Sequence, residues 1–348
     1  MTETKRNSAG KPSVLILVFI PALFFAVISS LSMGYLSIPV REIFCILLDP
    51  VFNLPLSNPD MAETFRAVIL DVRLPRILTC AAVGGALSVS GVLFQGILLN
   101  PLADPYTLGV SAGAAFGAAL AILLNLSATY VSIPIFAFIG ACATLFFVVY
   151  LSYSPNQHSG GLSSNNLILS GIIVAAILSA GISFLKFIAN EQVSVIIFWL
   201  MGSFASKTWL NFLVILAFLC IGFSIAYYYS RDLNLISLGD RSASSLGVNQ
   251  KKVTVILLIT GSMLAAVSVS ISGIIGFVGL LVPHMIRLVT GPDNRALLPV
   301  SLLAGAILLL GADTITRAVL PHEIPIGILT ALIGGPVFCW IFKRNRMR

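Results

Sequence analysis

Apolar runs of bilayer-crossing length recur along almost the whole chain, and they narrow its possible folds more than any other feature. A hydrocarbon core about 30 Å thick needs roughly 20 apolar residues in a helix. Ten runs are readable, at 13–34, 77–96, 107–125, 131–151, 167–188, 210–229, 253–271, 274–290, 296–311 and 325–342, with 196–209 as a half-span or re-entrant helix ahead of 210–229. In lipid each backbone N–H and C=O must be paired within its own segment, so these runs predict helices. The two-residue alternation of a membrane barrel is absent. Composition agrees, with 58% hydrophobic and only 9% charged residues, against about 25% charged in soluble domains. The expected fold is all-α and polytopic, with about ten transmembrane helices in a single transmembrane domain over residues 1–348.

Lysine and arginine set the orientation. With a cytoplasmic N-terminus and alternating spans, 13 of the 20 basic residues face inward together with five of the 13 acids. Both termini are therefore expected in the cytoplasm, in a multi-pass protein of the cell (inner) membrane. Lipid is the implied partner of the basic surface, and the sequence pI near 9.3 needs no nucleic acid. Val14–Met33 is longer than a signal core and lacks a small-residue cleavage site after it, which reads as a retained first span. The five cysteines are scattered without paired spacing, and His158, His284 and His322 lie far apart. No metal site and no cofactor is expected.

One polar island interrupts the apolar pattern. Residues 231–249 contain RDLNLISLGDRSASSLGV between two spans, too long for a turn and with Leu, Ile and Val at roughly helical spacing. The pattern predicts one or two short amphipathic helices just outside the membrane, suited to docking a soluble partner. A partner is needed if the chain is driven by ATP, because no G-x-x-x-x-G-K-[ST] loop occurs anywhere in it. No nucleophile–base pair, acid ladder or Arg repeat is visible either, so the chain is not expected to be an enzyme on its own.

Three other clusters stand out. In NPLADPYTLGVSAGAAFG, Asn100, Pro101, Asp104 and Pro105 end one helix, and Gly109, Gly113 and Gly117 then recur every four residues. Small residues at that spacing let a second backbone approach closely, and the same thin face could line a passage. In SGIIGFVGLLVPHMIR, glycines leave one side bare and Pro283 invites a kink, while His284 either braces the helix beside Arg287 or relays protons. Arg66, Arg73 and Arg76 before the second span, and Asp313, Arg317 and Glu323 near the end, place charge on the face that the positive-inside rule leaves poor. Either these are solvated loop charges, or Arg-Leu-Pro-Arg at 73–76 is a stiff loop whose guanidinia fork to carboxylates of an external protein. Trp199 and Trp209 flank a weakly polar stretch that fits an interfacial helix.

NPLADPYTLGVSAGA, SLGDRSASSLGV, GIIGFVGLLVPHMIR and ADTITRAVLPHEIPIGILTALIGGPVF, in this order over roughly residues 60–345, resemble the FecCD-type family of ABC-importer permeases. That resemblance implies a type II importer permease fold and a cargo that is an iron chelate (siderophore or haem) or cobalamin. It also implies a homodimer or a pair with a close paralogue, two cytoplasmic ATPase subunits that hydrolyse the ATP, and an external substrate-binding protein, periplasmic or membrane-anchored. Within the island, Leu238, Gly239, Asp240, Ala243, Leu246 and Gly247 match the family's ATPase-coupling pattern. Arg73, Arg76 and Arg317 match positions that face the binding protein, and Gly109, Ser111, Gly113 and Ala114 match a motif near the translocation path. The chain departs from the family at 151–166, where basic residues are common and Asn166 stands in place of an arginine. The rival reading is an ion-gradient-driven secondary transporter, which would show a pair of discontinuous polar helices at mid-membrane.

Overall fold

The computed structural model describes residues 12–34, 36–52, 61–126, 132–153, 163–318 and 323–346. Among these every regular element is helical. Helix α1 (Pro12–Ser32) is followed by a short amphipathic α2 (Val40–Phe52). Then α3 (Ala62–Ala67), a π-helical stretch (Val68–Arg73) and α4 (Leu74–Ile97) run on as one 35-residue rod from Glu63 to Ile97. A 3₁₀ turn (Pro105–Leu108) leads to α5 (Val110–Leu123), α6 (Ser132–Ser152) and α7 (Ser164–Ile188). After α8 (Val193–Leu200) and α9 (Trp209–Tyr228) come two short helices, α10 (Ser230–Ile236) and α11 (Asp240–Ser245). The chain closes with α12 (Gln250–Ser272), α13 (Val278–Thr290), α14 (Asn294–Ala318) and α15 (Ile326–Arg346).

Seven described helices are long and apolar enough to cross a membrane, and three further apolar helices are shorter: Val110–Leu123, Val278–Thr290 and Ile326–Ile341. The run expected at 274–290 shows why length was overread. Gly273 (φ +74°) ends α12, and the chain passes through Phe277 (φ +67°) before α13 starts at Val278. The remaining 13 residues rise only about 20 Å, short of the hydrocarbon thickness. Sequence patterning also passed over α2, because a 13-residue amphipathic helix matches no spanning template.

Helix α4 is the centre of the molecule, buried along nearly its whole length. Association within lipid lacks the usual hydrophobic drive, so close backbone contact has to supply the attraction. Glycines provide it: a Cβ at Gly84 would lie 2.3 Å from the Gly305 carbonyl oxygen of α14, and one at Gly91 would lie 1.8 Å from that of Gly279 on α13. Ser90 Oγ donates to the Gly261 oxygen of α12 at 2.6 Å, and Gln95 Nε2 donates to the Leu280 oxygen of α13 at 3.1 Å. By contrast α1, α6, α7 and α9 form a rim with large exposed apolar side chains such as Phe25, Phe146 and Phe187, the surface that lipid covers.

Candidate functional site: two ends of one helix pair

Helices α4 and α14 run antiparallel, with Gly84 against Gly305 at their middle. Each end of this pair carries one of the sites expected from sequence.

At one end sits the island. It folds as two short helices separated by Gly239, whose φ of +100° and ψ of 156° fall in a region open essentially to glycine alone. Gly247 (φ +83°) ends α11, and the Val248 N–H returns to the Ala243 oxygen at 3.1 Å. One face is anchored: Leu233 and Ala243 are fully buried, and Leu233 fills the space left by Gly96 of α4. The other face is bare. Leu238 is 66% and Leu246 62% exposed, and nothing lies within 4 Å of a Cβ built on Gly239 or Gly247. The backbone of Asp240 opens α11, while its side chain lies outside the described residues.

At the other end three arginines turn inward. The π-helical stretch adds a residue to the turn, with the Leu74 N–H reaching back to the Ile69 oxygen, and it swings Arg73 onto the buried face. Arg73 Nη1 and Nη2 donate to the carbonyls of Leu31 and Leu36. Arg317 donates to the Met33 oxygen at 2.7 Å, to Ser30 Oγ at 2.6 Å and to the Ser30 carbonyl. Together they bind carbonyls of the last turn of α1 and of the connection that follows it. Cationic groups at a helix C-terminus are also favoured by its dipole. Arg76 forks onto the buried Asp313, with Nη2 at 2.7 Å and Nε at 3.1 Å, and pairs with Glu323 as well. Arg317 Nε completes the cluster 3.5 Å from Asp313.

The Arg-Leu-Pro-Arg segment is therefore not a loop. It is the join of the π-helical stretch and α4, with Pro75 inside the continuous rod, where it supplies no N–H to the preceding turn; the Leu70 oxygen of that turn accepts from the Trp209 indole instead. None of the three guanidinia is free: the side chain of Arg76 is 14% exposed and that of Arg317 9%. A pocket of about 180 Å³ opens beside them, lined by Arg76, Asp313, Thr316 and Glu323 together with Phe198 and Phe204. Trp209 closes the region from another side, its indole N–H donating to the Leu70 oxygen at 3.1 Å. The π-helical stretch and the clasp on α1 had no legible signal, since both depend on where distant backbone carbonyls fall.

The glycine motif of the third expected span divides in two. Gly109 is not on a helix face; at φ +73° it is the left-handed residue between the 3₁₀ turn and α5. Asp104 caps that turn, with Oδ1 accepting from the Tyr106 N–H at 2.7 Å and the Asp104 N–H donating to Thr107 Oγ1 at 3.0 Å. Gly113 and Gly117 meet α6, where added Cβ atoms would lie 2.5 Å from the Gly140 oxygen and 2.1 Å from the Phe136 oxygen. Gly113 and Ala114 are buried inside the subunit and Ser111 is partly exposed. No group of three or more His, Cys, Asp or Glu able to hold a metal occurs among the described residues. His158 and His322 lie outside them, as does most of the 151–166 loop.

The fold is that of a helical membrane protein built on the glycine-packed α4–α14 pair, with an exposed apolar ledge at one end. A family model described as the FecCD transport family matches residues 22–344, and the chain belongs to that family. It is 40% identical over 286 residues to the cobalamin import system permease protein BtuC of Halobacterium salinarum, covering 82% of this chain and 76% of that one. It is 37% identical to the hemin transport system permease protein HmuU of Yersinia pestis over 98% of both chains. Among solved structures it superposes with a TM-score of 0.82 and 34% identity on a metal-chelate type ABC transporter in an inward-facing conformation, over 96% of this chain and all of that one. The family works with ATPase and substrate-binding partners, and its permeases are transport components of multi-pass membrane complexes. A gradient-driven secondary transporter is not favoured.

Proposed function

We propose that the chain, as one transmembrane domain over 1–348, is the membrane-spanning subunit of an importer for an iron chelate (siderophore or haem) or cobalamin, working as a homodimer or beside a close paralogue. The similarity to permeases named for hemin and for cobalamin supports this cargo class. Two cytoplasmic ATPase subunits, which supply the hydrolysis, dock on Leu238, Gly239, Asp240, Ala243, Leu246 and Gly247. The observation that carries this reading is the pair of exposed leucines on a ledge whose opposite face is fixed to α4. Leucines left in water beside backbone unobstructed by side chains are poor surface and good interface. Both termini then share the cytoplasmic side with the island, as the distribution of basic residues favours.

The opposite end, with Arg73, Arg76 and Arg317, faces the external binding protein. Because these cations are already paired, docking works there by exchange. An incoming carboxylate replaces Glu323, whose side chain is 44% exposed, on Arg76, while Arg73 and Arg317 hold the end of α1 in register. The passage lies along α5, with Ser111 the partly exposed member of the set Gly109, Ser111, Gly113 and Ala114. The test is co-expression with a candidate ABC ATPase subunit, comparing the wild type with Leu238→Asp/Leu246→Asp. Loss of co-purification with an unchanged melting temperature supports the docking role; retained association would move it off the island.

A further inference from the structure

One side chain of the island neither faces outward nor belongs to its apolar anchor. Asn234, on α10, uses its whole amide on the first turn of α14. Its Oδ1 accepts from the Asn294 N–H at 2.9 Å and from Asn294 Nδ2 at 2.8 Å, and its Nδ2 donates to Asp293 Oδ1 at 2.7 Å. Asp293 is itself the residue capping α14, since Oδ1 accepts from the Arg295 N–H at 3.0 Å and its carbonyl accepts from Leu297 at 2.9 Å. Asn294 is 2% exposed, so its two bonds to Asn234 are partly buried, while the Asp293 end of the cluster lies at the surface.

A first-turn N–H has no partner within its own helix. Here it is supplied from outside by a residue of the docking element, so α14 is fully capped only while α10 holds its present position. One residue earlier, Leu233 is lodged against Gly96 of α4. The island thus grips both members of the antiparallel pair at the same end. Their far ends, about 30 Å away at 1.5 Å per residue, are joined by Arg76 and Asp313. Between them, the backbones of Gly84 and Gly305 touch. Two rigid rods fastened at the middle and both ends transmit a displacement where a loose pair would absorb it.

We propose that Asn234 is the positioning residue that couples movement of the ATPase-docking island to α14, and through it to the Arg76–Asp313 end. This rests on the island being the ATPase dock, and it adds which contact carries the motion onward. Its prediction differs from that of a docking residue. In the assembled complex, Asn234→Ala should still bring down the ATPase, because Leu238 and Leu246 are untouched. Basal hydrolysis should stay within about twofold, while stimulation by the loaded binding protein and cargo delivered per ATP each fall about tenfold, an ordinary size for coupling between sites.

The decisive experiment measures these quantities in proteoliposomes for wild type, Asn234→Ala, Asn294→Ala and the double variant, with melting temperatures alongside. The proposal expects the double variant to be no less coupled than either single one, because all three lose the same clasp. Unchanged stimulation and stoichiometry in Asn234→Ala would overturn it. So would additive losses, or loss of the ATPase from Asn234→Ala, which would make Asn234 a folding contact of the ledge. Failure of the docking reading is separable, since it shows as ATPase retained by Leu238→Asp/Leu246→Asp.

Discussion

At the Arg73–Arg76–Arg317 end of the α4–α14 pair nearly every strong hydrogen-bonding group is spent inside the subunit, whereas at the 231–249 end large apolar side chains are left in the open. From sequence both ends read as interaction surfaces, the charged one for an external protein and the apolar one for a soluble partner. Physical chemistry separates them. A guanidinium near lipid has to be paired, and it is paired most cheaply with its own chain. An exposed leucine in a ledge held by Leu233 and Ala243 has no internal use. The first end is closed on its own chain, and the second leaves apolar side chains uncovered.

The largest effect that would break this comparison is at the charged end. Charge reversal of Arg73 and Arg76 to Glu removes the clasp on α1 and sets a new carboxylate beside Asp313. Breaking a buried pair from one side costs about 3–5 kcal/mol. The expected outcome is loss of folded, monodisperse protein in detergent, not an assembled complex deficient only in docking. A correctly folded double variant by gel filtration and melting would show these arginines to be free surface after all. Glu323→Gln then sharpens the point: it should leave the fold intact and alter only the affinity of the binding protein, read by its salt dependence.

Next in size is Gly113→Val. The added carbons meet the Gly140 carbonyl and Thr144 Oγ1 at the contact of α5 with α6. Overpacking of this kind costs about 1–3 kcal/mol, and a clear fall in melting temperature is expected. Gly239→Ala would lower it through backbone conformation instead of contact, because there is open space around that position. Equal stability of Gly113→Val and wild type would mean that α5 is not packed on α6 through this face.

How much of this was legible follows from the range of the interactions. The island was readable as one or two short amphipathic helices, because glycine breaks and helical spacing act over a few residues. The α5 turn was half-readable: Asn100, Pro101, Asp104 and Pro105 announce a break, but the left-handed role of Gly109 depends on where the 3₁₀ turn ends. The Arg cluster was misread as a loop because Pro75 looks the same in a stiff loop and in the first turn of a helix. Only the carbonyls of Leu31 and Leu36, some 40 residues away, decide between them. The break at 273–277 had its glycines in plain view, yet the surrounding apolar residues kept the run continuous to any hydropathy window.

A smaller effect separates local capping from charge. Asp104 is partly buried in the 98–109 connection, and burial raises its carboxyl to about 6 despite the hydrogen bond from the Tyr106 N–H. A raised folded-state value means that the ionised group opposes folding. The penalty is complete above pH 6, fades as pH falls towards 4, and is absent below the unfolded value. Asp104→Asn keeps the acceptor and drops the charge. It should be more stable than wild type by about 1–2 kcal/mol at pH 7.5, discounted for partial exposure. The difference in melting temperature should shrink steadily between pH 6 and pH 4, and a difference independent of pH would assign the effect to packing.

The smallest expected change in stability is the one that bears most on the comparison. Leu238→Asp exposes a carboxylate where a leucine is already 66% exposed, and surface substitutions of that kind usually stay within about 0.5 kcal/mol. Leu233→Asp, five residues earlier on the same ledge, buries a charge against Gly96 and should prevent folding. Melting curves of the two variants, read beside ATPase co-purification, separate holding the ledge from presenting it. Leu238→Asp should keep the curve and lose the partner. If it instead lost the curve, the leucine would be part of the subunit's own packing, and the two ends would no longer differ in kind.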